Sequence, residues 1–393
     1  MAVDRVLVLV CDSFGVGEAP DAAAYGDEGA NTLGHVSAAV GGLNAPNLAA
    51  LGLGAVTEMR GLAPDAARPG TAHGRLTERS AGKDTTTGHW EMCGIVVDRP
   101  FPTYPNGFPP EVVEPWERAI GRKVLGNKAS SGTEIIAELG EEHLRTGRPI
   151  LYTSADSVFQ VATHVKAVPL ERLYEWCQIA RRLLTGKHQV GRVIARPFDG
   201  DPGSFFRRPE RRDLSIPPPR PTILDLVKQT GIPVYGVGKI HDIFDGHGLT
   251  EFAYSESNDH GVDLSVGYLT REGRSLVMAN LVDFDSKYGH RNDPEGYANC
   301  VEAFDRRLPE LIGAVGEGLL FLTGDHGCDP TMVPSTDHTR EYIPVLVSGA
   351  RSKGVIDLGT RAGFSDLGAT VADVLGVVPR GVAGTSFAEQ IGW

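Results

Sequence analysis

Val6-Leu7-Val8-Leu9-Val10, followed at once by Cys11 and Asp12, is the stretch on which the fold turns. Five consecutive branched apolar residues, with no polar alternation, predict a strand buried on both faces. That is what a parallel sheet covered by helices on either side requires. Residues 275–282, 319–323 and 344–347 repeat the pattern. Between them the period changes to that of a helix. Residues 300–315 place Val301, Phe304, Leu308, Leu311, Ile312 and Val315 on one face, and residues 364–375 do the same with Phe364, Leu367, Val371, Val374 and Leu375. Alternating strands and helices predict an α/β fold with a mainly parallel sheet between helical layers.

Two proline-rich stretches interrupt this alternation, six prolines over residues 100–115 and five over residues 209–221. Proline is excluded from helix interiors and central strands, so both read as linkers. They bracket an insert at 101–219 and leave 1–100 with 220–393 as the main body, a division expected of a 393-residue chain. The insert has its own helical patterns near 133–144 and 170–184, so it too reads as α/β. Its charge differs from the rest. Residues 101–221 hold 18 Lys/Arg against 14 Asp/Glu, within a chain whose net charge is −12. An acidic body suits cations, and a mildly basic segment suits a small anion; nucleic acid held by its phosphates is not expected.

No apolar run reaches the roughly 18 residues that span a bilayer, and the first residues run into a strand without the pattern of a secretory leader. Five cysteines, widely spaced and without a C-x-x-C pair, predict neither a disulfide framework nor a thiolate zinc site. A reducing cytoplasm is the expected location. No protein partner is evident from the sequence.

Three of the apolar runs end in carboxylates: the first in Asp12, residues 275–282 in Asp283 and Asp285, and residues 319–323 in Asp325. Ligands of open α/β sheets bind at the carboxyl ends of strands. Histidines accompany two of these runs. His290 lies five residues beyond Asp285, across a glycine turn; His326 is next to Asp325, and His338 follows twelve residues later. Asp12, Asp285 and Asp325 with the three imidazoles, without thiolate, suit Mn²⁺ or Zn²⁺ better than Ca²⁺. Six such groups exceed the needs of one catalytic ion that keeps an open position, so two ions are expected, as in phosphoryl transfer between two oxygens. One more motif, Gly82-Lys83-Asp84-Thr85-Thr86-Thr87-Gly88-His89-Trp90, opens a possible helix. Its threonines read either as capping hydroxyls or as a nucleophile that a metal activates.

At this point several segments together resemble one family. Residues 11–21 (Cys-Asp-Ser-Phe-Gly-Val-Gly-Glu-Ala-Pro-Asp), 82–91 (Gly-Lys-Asp-Thr-Thr-Thr-Gly-His-Trp-Glu), 283–293 (Asp-Phe-Asp-Ser-Lys-Tyr-Gly-His-Arg-Asn-Asp), 325–331 and 336–341 resemble phosphopentomutase, of the alkaline phosphatase superfamily. The resemblance runs from the first strand to the last helix. It implies an alkaline-phosphatase-like core with an inserted cap that binds substrate, and two Mn²⁺ ions. Asp12, Thr85, Asp325 and His326 would hold one ion, and Asp285, His290 and His338 the other. Thr85 would be the phosphorylated nucleophile. Ser154, Asp156 and Val158 would hold the sugar, with Arg192 and Lys239 on substrate phosphate.

The activity so implied is the interconversion of ribose (or deoxyribose) 1-phosphate and 5-phosphate through a phosphothreonine and a 1,5-bisphosphate. A sugar bisphosphate such as glucose 1,6-bisphosphate would prime the enzyme. Two relatives of the same superfamily are the rival readings. A metal-dependent phosphohydrolase needs water at the site, against which the sugar-holding residues speak. A cofactor-independent phosphoglycerate mutase uses a serine nucleophile and a longer second domain.

Overall fold

The computed structural model describes residues 3–154, 157–333 and 335–393. The chain divides into two compact units, Met1–Arg99 with Pro218–Trp393, and Pro100–Pro217.

The first unit is built on eight strands: β1 (Arg5–Cys11), β2 (Thr71–Leu76), β3 (Val234–Val237), β4 (Glu251–Ala253), β5 (Ser275–Leu281), β6 (Leu319–Thr323), β7 (Ile343–Ser348) and β8 (Ile356–Arg361). Their order across the sheet is β4-β3-β5-β1-β6-β7-β2-β8. Every residue of β5 and β6 is buried. The side chains of β1 alternate between two helical layers. Leu7, Leu9 and Cys11 join a core with Leu308 and Leu311 of the Pro294–Val315 helix. Val8 faces the other way, toward Met92, Ile223, Leu367 and Val371. Burial on both faces is the physical reason the run of five apolar residues carries no polar position.

β1 pairs in parallel with β5 on one side and β6 on the other, with Leu7 opposite both Val277 and Leu320. The sheet is not parallel throughout, however. β7, expected from its apolar run to be parallel, is antiparallel to both β6 and β2. Burial on two faces sets composition and leaves direction open. Direction follows from the connection, and among the described residues of 324–342 there is no helix to carry a parallel crossover. That excursion is the segment bearing His326 and His338.

Two further expectations are corrected. The first proline-rich stretch is only partly a linker, since Pro110–Ile120 is helical, with Pro110 in its first turn and Pro115 inside it. Burial of Val112, Val113 and Trp116 on one face outweighs the proline. The helix expected over 300–315 begins earlier, at Pro294, with the Asp293 side chain accepting from the Gly296 N–H at 2.8 Å. An Asp-Pro start is a helix signal in its own right.

The second unit has a six-stranded sheet in which the strands Leu125–Ala129, Ile150–Thr153, Val158–His164, Arg192–Asp199 and Phe206–Arg207 lie side by side, while Arg212–Ser215 pairs with Arg192–Asp199. The helix Gly132–Thr146 covers one face through Ile135 and Ile136. Pro110–Ile120 and Leu170–Leu183 cover the other through Trp116, Leu173 and Trp176. Trp116 is 1% exposed, donates its indole N–H to the Trp176 carbonyl at 2.9 Å and meets Phe159 edge-on at 5.0 Å. Trp116→Ala is therefore expected to cost about 3–5 kcal/mol in denaturant unfolding. A cost below about 1 kcal/mol would contradict this packing.

Candidate metal centre

Because β5, β1 and β6 are adjacent and parallel, the residues just beyond their ends emerge together. These are Asp285, Asp12 and Asp325, which are 3%, 0% and 0% exposed. Three buried carboxylates in one place repel one another and have lost their hydration, so they need positive charge nearby. Asp283, the other acid after β5, is elsewhere. It accepts from the Asn258 N–H and pairs with Lys287, a structural role.

Three imidazoles converge on the same point. His326 Nε2 lies 3.2 Å from Asp325 and 3.5 Å from Asp12. His290 Nε2 lies 3.3 Å from Asp285, and His338 Nε2 3.7 Å from it. The other ring nitrogen of each is committed to a backbone carbonyl. His326 Nδ1 donates to the Gly327 carbonyl at 3.0 Å, His290 Nδ1 to Thr336 at 2.6 Å and His338 Nδ1 to Lys83 at 2.9 Å. A carbonyl only accepts, so each Nδ1 carries a proton, and each Nε2 is the ring atom left facing the centre. His290 is expected across a glycine turn; it lies instead in a short helical segment, Gly289–Arg291, after the wide turn Phe284–Tyr288.

This donor set fits divalent cations. Among the described residues, Asp12 Oδ1, Asp285 Oδ1 and Asp325 Oδ2 are buried without a hydrogen-bond partner. The Nε2 atoms of His290 and His338 face each other at 3.1 Å, a contact of two lone pairs unless a cation or proton lies there. Asp12, Asp325 and His326 form one compact ligand group, and Asp285, His326 and His338 another, so that His326 stands at their junction. Cys328 lies beside Asp285 and His290 in a third group. Burial pushes its thiol up to about 12, which keeps it protonated and a poor ligand.

The protein's own ionisation shows the same demand. Burial disfavours a charged His290, yet its bond to Asp285 prevails and pushes it up to about 12. Burial likewise opposes charge on His326, and the Asp325 carboxylate overrides it, to about 10. Asp12 is raised to about 6 by burial and by Asp325. Without cations, protons fill the centre.

Thr85 opens the helix Thr85–Met92, and its hydroxyl lies 3.0 Å from His326 Nε2. The three threonines divide the two roles read from the sequence. Asp84 caps the helix by accepting from the Thr86 and Thr87 N–H groups, and the Thr87 hydroxyl completes the capping box. Thr85 is the one turned toward the acids. Gly88 permits the close approach, since a Cβ there would sit 2.1 Å from the Asp325 carbonyl oxygen. Lys239 Nζ, read as a phosphate contact, rests 3.0 Å from Asp12 Oδ2.

Several supporting residues carry no role in the sequence reading. Ser13 adopts φ +69°, a strained value for a residue with a side chain, and its N–H donates to Asp325 Oδ1 at 3.0 Å. The Tyr297 hydroxyl donates to the Ser13 carbonyl at 3.0 Å and holds that turn. His89 is fully buried, 3.4 Å from Asp325, with Nδ1 donating to the Thr85 carbonyl. Arg340, 2% exposed, pairs with Glu78 and binds the carbonyls of Glu78, Ser80 and Gly82, fixing the approach to Thr85. Glu341 accepts from the Gly17 and Thr32 N–H groups and from the Thr32 and Thr339 hydroxyls, joining the turn after β1 to the histidine segment. Most of these lie inside the motifs quoted above, but only their buried, multiply bonded setting reveals the function of each.

In the second unit, Ser154 follows the strand Ile150–Thr153, and Val158 stands opposite Arg192 in the sheet register. Asp156 lies outside the described residues. Arg192 is 3.6 Å from Asp213, which Arg211 also binds. Arg196 is nearby, bonded to Gln160 at 3.0 Å and lowered to about 10 by burial and by Arg211. Among the described residues no helix is long and apolar enough to cross a membrane.

A family model described as the Metalloenzyme superfamily matches residues 4–379. The chain is 53% identical to a phosphopentomutase of Kosmotoga olearia over 98% of this chain and 99% of that one. It is 57% identical to one of Anaeromyxobacter dehalogenans over 98% of each, and 52% identical to one of Caldanaerobacter subterraneus over 99% and 98%.

If the acids and imidazoles are metal ligands, adding Mn²⁺ to metal-free protein should raise its unfolding temperature, since binding favours the folded state. His290 and His326 must lose protons on binding, so heats measured in two buffers of different ionisation enthalpy should differ. An unchanged unfolding temperature would contradict the assignment.

Proposed function

The chain belongs to the phosphopentomutase family of the metalloenzyme superfamily, and from that premise we propose that it interconverts ribose or deoxyribose 1- and 5-phosphates through a phosphothreonine on Thr85. The observation that carries this reading is the Thr85 hydroxyl, buried, 3.0 Å from His326 Nε2 and beside three carboxylates with unpartnered oxygens.

The residues divide the work as follows. Thr85 phosphate passes to the free hydroxyl of a bound pentose phosphate: the bond from phosphorus to the Thr85 oxygen breaks, the sugar oxygen forms the new one, and the proton of the sugar hydroxyl ends on the departing Thr85 oxygen. The product is a 1,5-bisphosphate, which turns over and returns its other phosphate to Thr85. Positioning and charge stabilisation dominate such transfers. Divalent ions held by Asp12, Asp325, His326, Asp285, His290 and His338 supply positive charge that favours the Thr85 alkoxide and offsets charge on the phosphoryl group.

In the chain itself, the Gly327 carbonyl holds the His326 Nδ1 proton and leaves Nε2, the atom that would bind an ion, 3.0 Å from the Thr85 hydroxyl. Lys239, 3.0 Å from Asp12 Oδ2, supplies a cation to a phosphate oxygen. The Pro100–Pro217 unit is assigned sugar recognition, through Ser154, Asp156 and Val158, with Arg192 as a phosphate contact. Oxygen and imidazole donors without an ionised thiol support Mn²⁺ as the resident ion. A sugar bisphosphate such as glucose 1,6-bisphosphate restores phosphate lost from Thr85, and the setting is cytoplasmic.

Thr85→Ala keeps the other six expected ligands and should still fold and retain Mn²⁺, yet lose mutase turnover and the phosphate that mass spectrometry should find on the wild-type 82–91 peptide. Turnover near wild type would reject Thr85 as nucleophile.

A further inference from the structure

Besides its threonines, the Thr85–Met92 helix buries two polar side chains completely, His89 and Glu91. Glu91 is structural. Its carboxylate accepts from the N–H groups of Arg79, Ser80 and Phe364 and from the Ser80 hydroxyl. His89 is not satisfied in this way. Its Nδ1 donates to the Thr85 carbonyl at 2.9 Å, and among the described residues its Nε2 is buried without a partner. A buried polar atom left unbonded lowers stability, and an apolar side chain of similar size would avoid that loss. An imidazole kept here in spite of it asks for a use beyond packing.

Its contacts supply one. His89 Nδ1 also lies 3.4 Å from Asp325 Oδ2. Among the described residues that oxygen has no hydrogen-bond partner, whereas Oδ1 is held by the Ser13 N–H at 3.0 Å. The ring therefore touches both the residue whose hydroxyl faces the acids and the carboxylate beside His326. One helical turn separates His89 from Thr85, and Gly88 lets that turn rest on the Asp325 backbone. At the next position the Trp90 indole N–H donates to the Ile243 carbonyl at 3.0 Å, pinning the helix to the segment that follows Lys239.

A reacting group misplaced by about 1 Å loses on the order of 100-fold in rate. We propose that His89 is a positioning residue. Its Nδ1–H, bonded to the Thr85 carbonyl and set against Asp325 Oδ2, fixes where the Thr85 oxygen stands relative to that carboxylate. The proposal rests on the reading of Thr85 as nucleophile and adds a residue that acts through Thr85 and Asp325.

The test compares His89→Leu, His89→Asn and His89→Gln in the Mn²⁺-loaded protein. The asparagine amide N–H stands close to the place of Nδ1 and the glutamine amide close to that of Nε2, while leucine has no donor. His89→Leu and His89→Gln should lower kcat for ribose 1-phosphate roughly 10–100-fold, with KM within about twofold of wild type. Both should slow phosphorylation of the 82–91 peptide by glucose 1,6-bisphosphate to the same degree, and His89→Asn should restore most of each rate. The unfolding temperature of His89→Leu should equal or exceed that of wild type, because an unbonded buried atom is gone. A histidine that only packs predicts the reverse, a lower unfolding temperature with unchanged kcat per folded molecule. That result, or equal losses of kcat in His89→Asn and His89→Gln, would overturn the proposal. Should His89→Leu fail to fold, the asparagine and glutamine pair still decides it. A wild-type peptide without phosphate, in a protein without mutase turnover, would instead reject the Thr85 reading itself.

Discussion

Three buried carboxylates held together at the ends of adjacent parallel strands are the constraint from which most of the active region follows. Asp285, Asp12 and Asp325 meet because β5, β1 and β6 run side by side in the same direction. Their repulsion and lost hydration make the empty cluster unfavourable, and the imidazoles around it take up protons against the pull of burial. Divalent cations relieve the same strain. The sheet thus concentrates negative charge, and three carbonyl-bound histidines leave their Nε2 atoms facing it, the arrangement that the proposed ligand set requires.

The surrounding structure can be understood as what holds that cluster still. Gly88 lets the helix bearing Thr85 approach the Asp325 backbone. Ser13 accepts a strained conformation so that its N–H can orient Asp325. Arg340 and Glu341 are buried charges with several partners each. One anchors the segment leading to Thr85, and the other ties the turn after β1 to the excursion that carries His326 and His338. Charged groups are costly to bury unless fully bonded, and these are. Their use close to Thr85, the proposed nucleophile, fits the need for fixed geometry in phosphoryl transfer.

Much of this was legible in the sequence, for identifiable reasons. The unbroken apolar runs announced a sheet covered on both faces, and the acids just beyond three of them announced where carboxylates gather. The direction of β7 was not legible, because burial sets composition and the connection sets direction. The helix from Pro110 was hidden by its prolines, which packing of Trp116 overrides. The three carbonyls that orient the histidines leave no trace in residue identity, since every residue has one. Ser13 gave no sign either, because a left-handed backbone is ordinarily signalled by glycine. The three threonines could not be told apart until the helix start fixed Asp84 as the cap, Thr87 as its partner and Thr85 as the residue facing the acids.

The most direct test of the central claim, that this arrangement moves phosphate between two positions of one sugar rather than to water, is phosphorus NMR of the purified Mn²⁺-loaded protein. It would be supplied with ribose 1-phosphate and a trace of glucose 1,6-bisphosphate. The account predicts conversion to ribose 5-phosphate with little inorganic phosphate. Accumulation of inorganic phosphate in place of ribose 5-phosphate would contradict it and make the metal centre that of a hydrolase.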